Sequence, residues 1–292
     1  MASRDLRSKL RRNFGVPEQP ESPAQPEPKA AAESPSSPMR QWLMRQKERR
    51  AAPARGVAPD GTLGGGAEIE NDCGRFWLRR ERLSLEHRHG QRALAGVRDV
   101  DFRSFAERQR ELGDAELAHC LFLDTETTGL SGGAGTTVFM VGLGFVDGEE
   151  LVLEQVFLRS FADERAALRH VAQRLQEHPL QVTFVGKSFD RHRLAARMTL
   201  HRLEHAMLDP RHLDLFHVAR RAWKHELPDT RLRTVEEHKL GFVRHDDLPG
   251  SEAPRAWLDW LRDGSGRVDR VMEHNRLDVL SLVALMGCLG TR

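Results

Sequence analysis

Two carboxylates stand two residues apart in the run L-F-L-D-T-E-T-T-G-L at residues 121–130. In a strand alternate side chains share a face, so Asp124 and Glu126 project together, roughly 6–7 Å apart at Cα, while Leu121 and Leu123 anchor the strand in a core. Like charges side by side repel, and a hard divalent cation, Mg2+ or Mn2+, takes oxygen ligands of this kind. The plainer reading is a pair of exposed acids at a strand end.

A second pair lies near the C-terminus, where H-N-R-L-D puts His274 and Asp278 one helical turn apart on the same face. Val271, Leu277, Val279, Leu280 and Leu282 around them are apolar. A carboxylate bordering a buried face needs a partner or a metal to offset its desolvation. A solvated His–Asp pair is the alternative. Third, V-G-K-S-F-D at residues 185–190 follows an apolar strand, so Asp190 falls where strand hands over to helix, the place where α/β sheets bind ligands. Alone, Asp190 reads equally well as a helix N-cap.

These residues need elements to bring them together. From residue 119 the pattern predicts a buried strand (HCLFLDTE), two strands around an Asp-Gly turn (residues 137–160), a helix (DERAALRHVAQRLQEH), an apolar strand (QVTFVG) and a helix from Phe189. A short strand and further helices follow, and the long helix VDRVMEHNRLDVLSLVALMGCL closes the chain. The fold class is α/β, a mixed sheet of three antiparallel strands plus parallel strands flanked by helices. Upstream, FWLRRERLSLEHRHG has the alternation of a hairpin or edge strand and DFRSFAERQREL that of a short amphipathic helix. Residues 71–118 are thus expected as an extension packed on a main domain at 119–292.

Residues 1–70 are expected as a disordered tail. Residues 15–38 are rich in Pro, Glu, Ala and Ser and nearly empty of large apolar side chains, so they cannot offset ordering entropy. The net charge of +2 hides an asymmetry, with 12 Lys/Arg against 7 Asp/Glu in residues 1–60. A basic arm suits nucleic acid or a protein partner, although short charged arms often only solvate. No apolar run approaches the roughly 18 residues of a membrane span, and no apolar segment follows the basic N-terminus, which predicts a cytoplasmic protein. Cys73, Cys120 and Cys288 form no C-x-x-C pair, against a zinc knuckle or disulfide framework. The S-G-G-A-G stretch at 131–135 lacks the ending of a phosphate loop and reads as a flexible connection.

Taken together, D-T-E-T-T-G-L, S-F-D and H-N-R-L-D-V-L-S-L resemble the three motifs of the DEDD exonuclease superfamily. The fuller run, with L-D-T-E-T-T-G-L-S-G-G-A-G-T and D-D-L-P-G at residues 246–250, is similar to the YprB-like ribonuclease-H-like family over residues 119–292. The resemblance implies a ribonuclease-H-like fold and a metal-dependent nuclease, 3′→5′ exonucleolytic on single-stranded ends of DNA or RNA. It implies two Mg2+ or Mn2+ ions gathered by Asp124, Glu126, Asp190 and Asp278, with Asp124 bridging both. Glu126 and Asp278 would complete the site that activates water, and Asp190 would hold the second ion partly through water.

Two departures stand out. Branches of that superfamily place a tyrosine four positions, or a histidine five, before the last Asp. Here His274 stands four before Asp278 in a chain with no tyrosine, which makes it the local candidate for orienting the water. Relatives carry Asn where this chain has Val185. Residues 187–239 hold 12 Lys/Arg against 8 Asp/Glu, and Thr127, Lys187 and Arg191 are the candidate nucleic-acid contacts. Trp223, Trp257 and Trp260 could stack on bases but have the helical spacing of core residues. A catalytically silent binding module and a structure-selective endonuclease are the alternatives.

Overall fold

The computed structural model describes residues 63–106, 109–129, 135–208 and 211–290. The expected disordered segment 15–38, the basic segments DLRSKLRRNF and MRQWLMRQKERR on either side of it and residues 131–134 lie outside them.

Two strands precede the expected domain, β1 (Gly66–Asn71) and β2 (Gly74–Ser84), followed by a two-stranded ribbon of β3 (Arg88–His89) and β4 (Arg92–Ala93). Then come β5 (Cys120–Thr127), β6 (Val138–Asp147), β7 (Glu150–Phe157), α1 (Glu164–Glu177), β8 (Leu180–Thr183), α2 (Asp190–Leu200) and β9 (His212–Asp214). Helices α3 (Leu215–Trp223), α4 (Ala253–Asp263) and α5 (Val268–Gly290) complete the set that matters here.

One sheet of seven strands runs in the order β1-β2-β7-β6-β5-β8-β9. Neighbours from β1 to β5 pair antiparallel, and β8 and β9 continue from β5 in parallel. The mixed sheet expected from sequence is therefore present, with five antiparallel strands where three were expected. Residue 70 lies inside β1, so the expected tail boundary moves upstream. Residues 71–118 do not merely pack on the domain, because β2 pairs with β7 along eight residues. The signal was weak because only Phe76, Trp77 and Leu78 of β2 enter the core, while Arg80, Glu81 and Arg82 hold the strand by ion pairs to Glu154, Arg276, Asp147 and Glu150.

Both faces of the sheet are covered, which is why β5 is apolar on both sides. Leu121 and Leu123 join the cluster that includes Val171 and Leu175 of α1, whereas Cys120 and Phe122 join the cluster that includes Val279, Leu280 and Val283 of α5. By strand alternation Asp124 and Glu126 belong to the face covered by α5. Trp257 and Trp260 are core residues, and Trp223 lies under the Lys239 ammonium. Among the described residues no helix is long and apolar enough to cross a membrane.

Candidate active site

Asp124, Gly142 and Gln155 form one row across β5, β6 and β7. Helix α5 crosses this row, and Asn275 lies over Gly142 so closely that a Cβ there would stand 2.4 Å from the Asn275 amide oxygen. Gln155 donates to that oxygen at 3.1 Å, which orients the amide, and Asn275 Nδ2 then donates to Asp124 Oδ2 at 2.8 Å. A strand carboxylate is thus fixed by the residue after His274.

The second group stands on α5. His274 Nε2 lies 3.5 Å from Asp278 Oδ2 and 4.0 Å from Glu126 Oε1, so the helix motif meets the strand motif. On its other side His274 Nδ1 is 2.7 Å from Asp247 Oδ1, within the D-D-L-P-G segment. Arg244, buried, donates to the other Asp278 oxygen and forms a two-pronged bond to Glu236. Glu236 opens a π-helical turn, Glu236–Leu240, that continues the short α-helix Leu232–Val235. It also accepts from Ser281, whose hydroxyl meets His89 Nε2 at 2.7 Å. Burial, with Arg244 adding repulsion, pushes His89 down to about 3 and keeps it neutral.

Asp190 opens α2 but does not cap it, since Phe189 occupies that position. Its Oδ1 accepts from the Thr125 hydroxyl of β5. The loop before it is cinched by Asp214, which accepts from the backbone N–H groups of Val185 and Lys187. Val185 has φ +67°, a left-handed conformation that strains a β-branched side chain and that Asn tolerates better, so the departure at this position carries a backbone cost. Thr127 is buried and its hydroxyl donates to the Gly129 carbonyl, while Lys187 is exposed and Arg191 half-buried. Of the three candidate contacts, Lys187 is therefore the most open to solvent.

The acids repel one another. Asp124 sits well above the usual carboxylate range, first through burial and then through the charges of Asp278 and Asp190, against which Asn275 and Arg244 work. Glu126 is raised by burial and by Asp124, Asp278, Asp190 and Asp247. Asp190 is pushed up to about 6 by burial, with the Thr125 hydrogen bond pulling the other way. This oxygen-rich, mutually repelling donor set fits a hard divalent cation. Yet among the described residues no three His, Cys, Asp or Glu side chains stand close enough to hold one ion between them. Asn275, Arg244 and Thr125 each hold one carboxylate, of Asp124, Asp278 and Asp190 in turn, by a hydrogen bond.

The residues that motif reading missed are the ones that hold the acids: Thr125, Gln155, Glu236, Arg244, Asp247 and Asn275. Asn275 lay inside a recognised motif and Asp247 inside D-D-L-P-G. Arg244 and Gln155 had no local signal.

An antiparallel meander continued by parallel strands, with paired acids on its central strand and a third and fourth acid on flanking helices, defines the ribonuclease-H-like class. Residues 121–289 match the model of the RNase_H superfamily, and the chain belongs to that superfamily. It is 33% identical over 213 residues to the uncharacterized protein YprB of Bacillus subtilis (strain 168), an alignment that covers 71% of this chain and 51% of that protein. The chain therefore spans about half the length of this curated relative. Among solved structures, the family B DNA polymerase from the hyperthermophilic archaeon Pyrobaculum calidifontis is similar, with TM-score 0.48 and 20% identity, over 58% of this chain and 24% of that one.

Proposed function

We propose that the chain is a metal-dependent nuclease that hydrolyses nucleic-acid phosphodiesters, acting 3′→5′ on single-stranded ends of DNA or RNA. Asp124, Glu126, Asp190 and Asp278 are its oxygen ligands for two Mg2+ or Mn2+ ions, and His274 orients the attacking water. One observation carries this reading: Asp190 and Asp278, from two helices, converge on the paired acids Asp124 and Glu126 of the central strand and raise their pKa, in a chain of a superfamily named for a ribonuclease.

Bound divalent cations would supply Lewis-acid stabilisation and a nucleophilic hydroxide near neutral pH. The chain's own residues do the rest. Asn275 and Arg244 fix the orientation of Asp124 and Asp278, and Asp214 holds the loop that presents Asp190. The exposure of Lys187 on that loop supports it as a contact to the phosphate backbone, with Arg191 four residues on.

The test is incubation with end-labelled single- and double-stranded DNA and RNA plus Mg2+ or Mn2+, beside Asp124→Asn and Asp278→Asn. Cleavage by the wild type and its loss to background in both variants, with circular dichroism unchanged, is the expected result. A wild type that cleaves none of these with either metal would sink the proposal, and cutting of circular substrates would make the enzyme an endonuclease. A nucleic-acid-binding module without catalysis is the second reading, favoured by the Arg244 contact to Asp278. Metal-independent binding that survives both substitutions would support it.

A further inference from the structure

We propose that Asp247 is a positioning residue that fixes the tautomer of His274, so that a bare Nε2 faces Glu126 and Asp278. The catalytic consequence rests on the nuclease reading above, but the tautomer does not.

His274 Nδ1 has two polar neighbours, Asp247 Oδ1 at 2.7 Å and Arg244 Nη1 at 3.3 Å. A carboxylate can only accept and a guanidinium can only donate, so the two neighbours ask for opposite tautomers. The shorter contact decides: 2.7 Å is the length of a charge-assisted hydrogen bond, whereas 3.3 Å lies beyond the usual N–H···N range. Arg244 Nη1 also lies 3.5 Å from the other Asp247 oxygen, which offers it an acceptor apart from the ring, while Nε and Nη2 go to Glu236 and Asp278. Nδ1 therefore carries the proton, and the lone pair falls on Nε2.

Asp247 is held on both sides. Arg270 on α5 binds the Asp246 carboxylate and carbonyl, and Leu248 is buried in the core. Asp246 itself adopts φ +55°, a turn that brings the next side chain back toward the helix. The D-D-L-P-G segment is thus a strap whose second Asp is aimed at one ring nitrogen.

On the far side of the ring, Nε2 lies 3.5 Å from Asp278 Oδ2 and 4.0 Å from Glu126 Oε1. A bare Nε2 beside these oxygens can accept from a water O–H. With the opposite tautomer, His274 would donate to a carboxylate and have no lone pair for a water proton. A carboxylate behind the imidazole is the arrangement that orients a ring acting as proton acceptor.

The experiment is long-range 1H–15N correlation of ring-labelled histidine in the full chain at neutral pH with Mg2+, the His274 signals being assigned by their absence in His274→Gln. Wild type is expected to show Nδ1 protonated and Nε2 bare. Asp247→Asn, which offers both a donor and an acceptor, should mix or invert the tautomers, and Asp247→Glu should retain the wild-type pattern. In parallel, Asp247→Asn should lower kcat by about 10–100-fold, as loss of an orienting carboxylate does, with KM for an oligonucleotide and Mn2+ affinity within about twofold. A wild-type His274 protonated on Nε2 overturns the proposal, and so does a tautomer unchanged in folded Asp247→Asn. Should the tautomer behave as stated while no nucleic acid is cleaved, it is the nuclease reading that fails.

Discussion

Asp190 carries its charge against its surroundings. Its folded pKa of about 6 lies above the value of 3.8 expected for a free carboxyl, so protonation favours the folded state. That contribution is complete below about pH 4 and is lost as the pH rises through about 6. Near pH 7 the buried charge costs the metal-free protein about 3 kcal/mol. Asp190→Asn, which keeps an acceptor for Thr125, is accordingly expected to raise the Tm of the metal-free protein by about 6–12 °C at pH 7.5. The gain should shrink toward zero at pH 4, as followed by thermal unfolding in EDTA. A substitution that destabilises at both pH values would show that the carboxylate is not strained by its setting.

At the scale of elements, the decisive contact is between α5 and the row Asp124–Gly142–Gln155. Helix and sheet approach closely there because Gly142 has no side chain, and only then does the Asn275 amide reach Asp124. Gly142→Ala would drive a methyl group into that amide, whose neighbours are fully buried. The expected cost is about 1–3 kcal/mol, as for overpacking elsewhere, together with displacement of Asp124. Denaturant unfolding checks the first and Mn2+ affinity the second; a variant as stable as wild type with unchanged metal binding would contradict the account. The spacing of Asp124 and Glu126, and of His274 and Asp278, was legible because each pair lies within one element of fixed period. The contact between the two elements was not, since 151 residues separate Asp124 from Asn275.

For the whole molecule, the sheet does not begin at residue 119. Phe76, Trp77 and Leu78 of β2 are buried against the core that also holds Phe157 of β7 and the helix α1. Full burial of such side chains contributes about 1.5–3 kcal/mol each, a large part of the stability of an ordinary domain. Glu81 of β2 also pairs with Arg276, the residue after Asn275 on α5, and that bond holds its carboxyl below the usual range. A chain restricted to residues 119–292 is therefore expected to lose cooperative thermal unfolding and to aggregate, whereas the chain that retains β1 and β2 melts in one transition. Cooperative unfolding of the shorter chain would restore the smaller domain.

The amino-acid sequence by itself determined the acids and the local geometry that presents them. Period two in β5 and period 3.6 in α5 are properties of the backbone, so side chains two or four residues apart share a face whatever surrounds them. Tertiary structure alone decided the partners: Arg244 for Asp278, Asp247 for His274, Asn275 for Asp124 and Thr125 for Asp190. It also decided that β1 and β2 extend the sheet. These contacts join segments brought together by packing, and no local period encodes which distant side chain will fill the remaining hydrogen-bond position of a buried carboxylate.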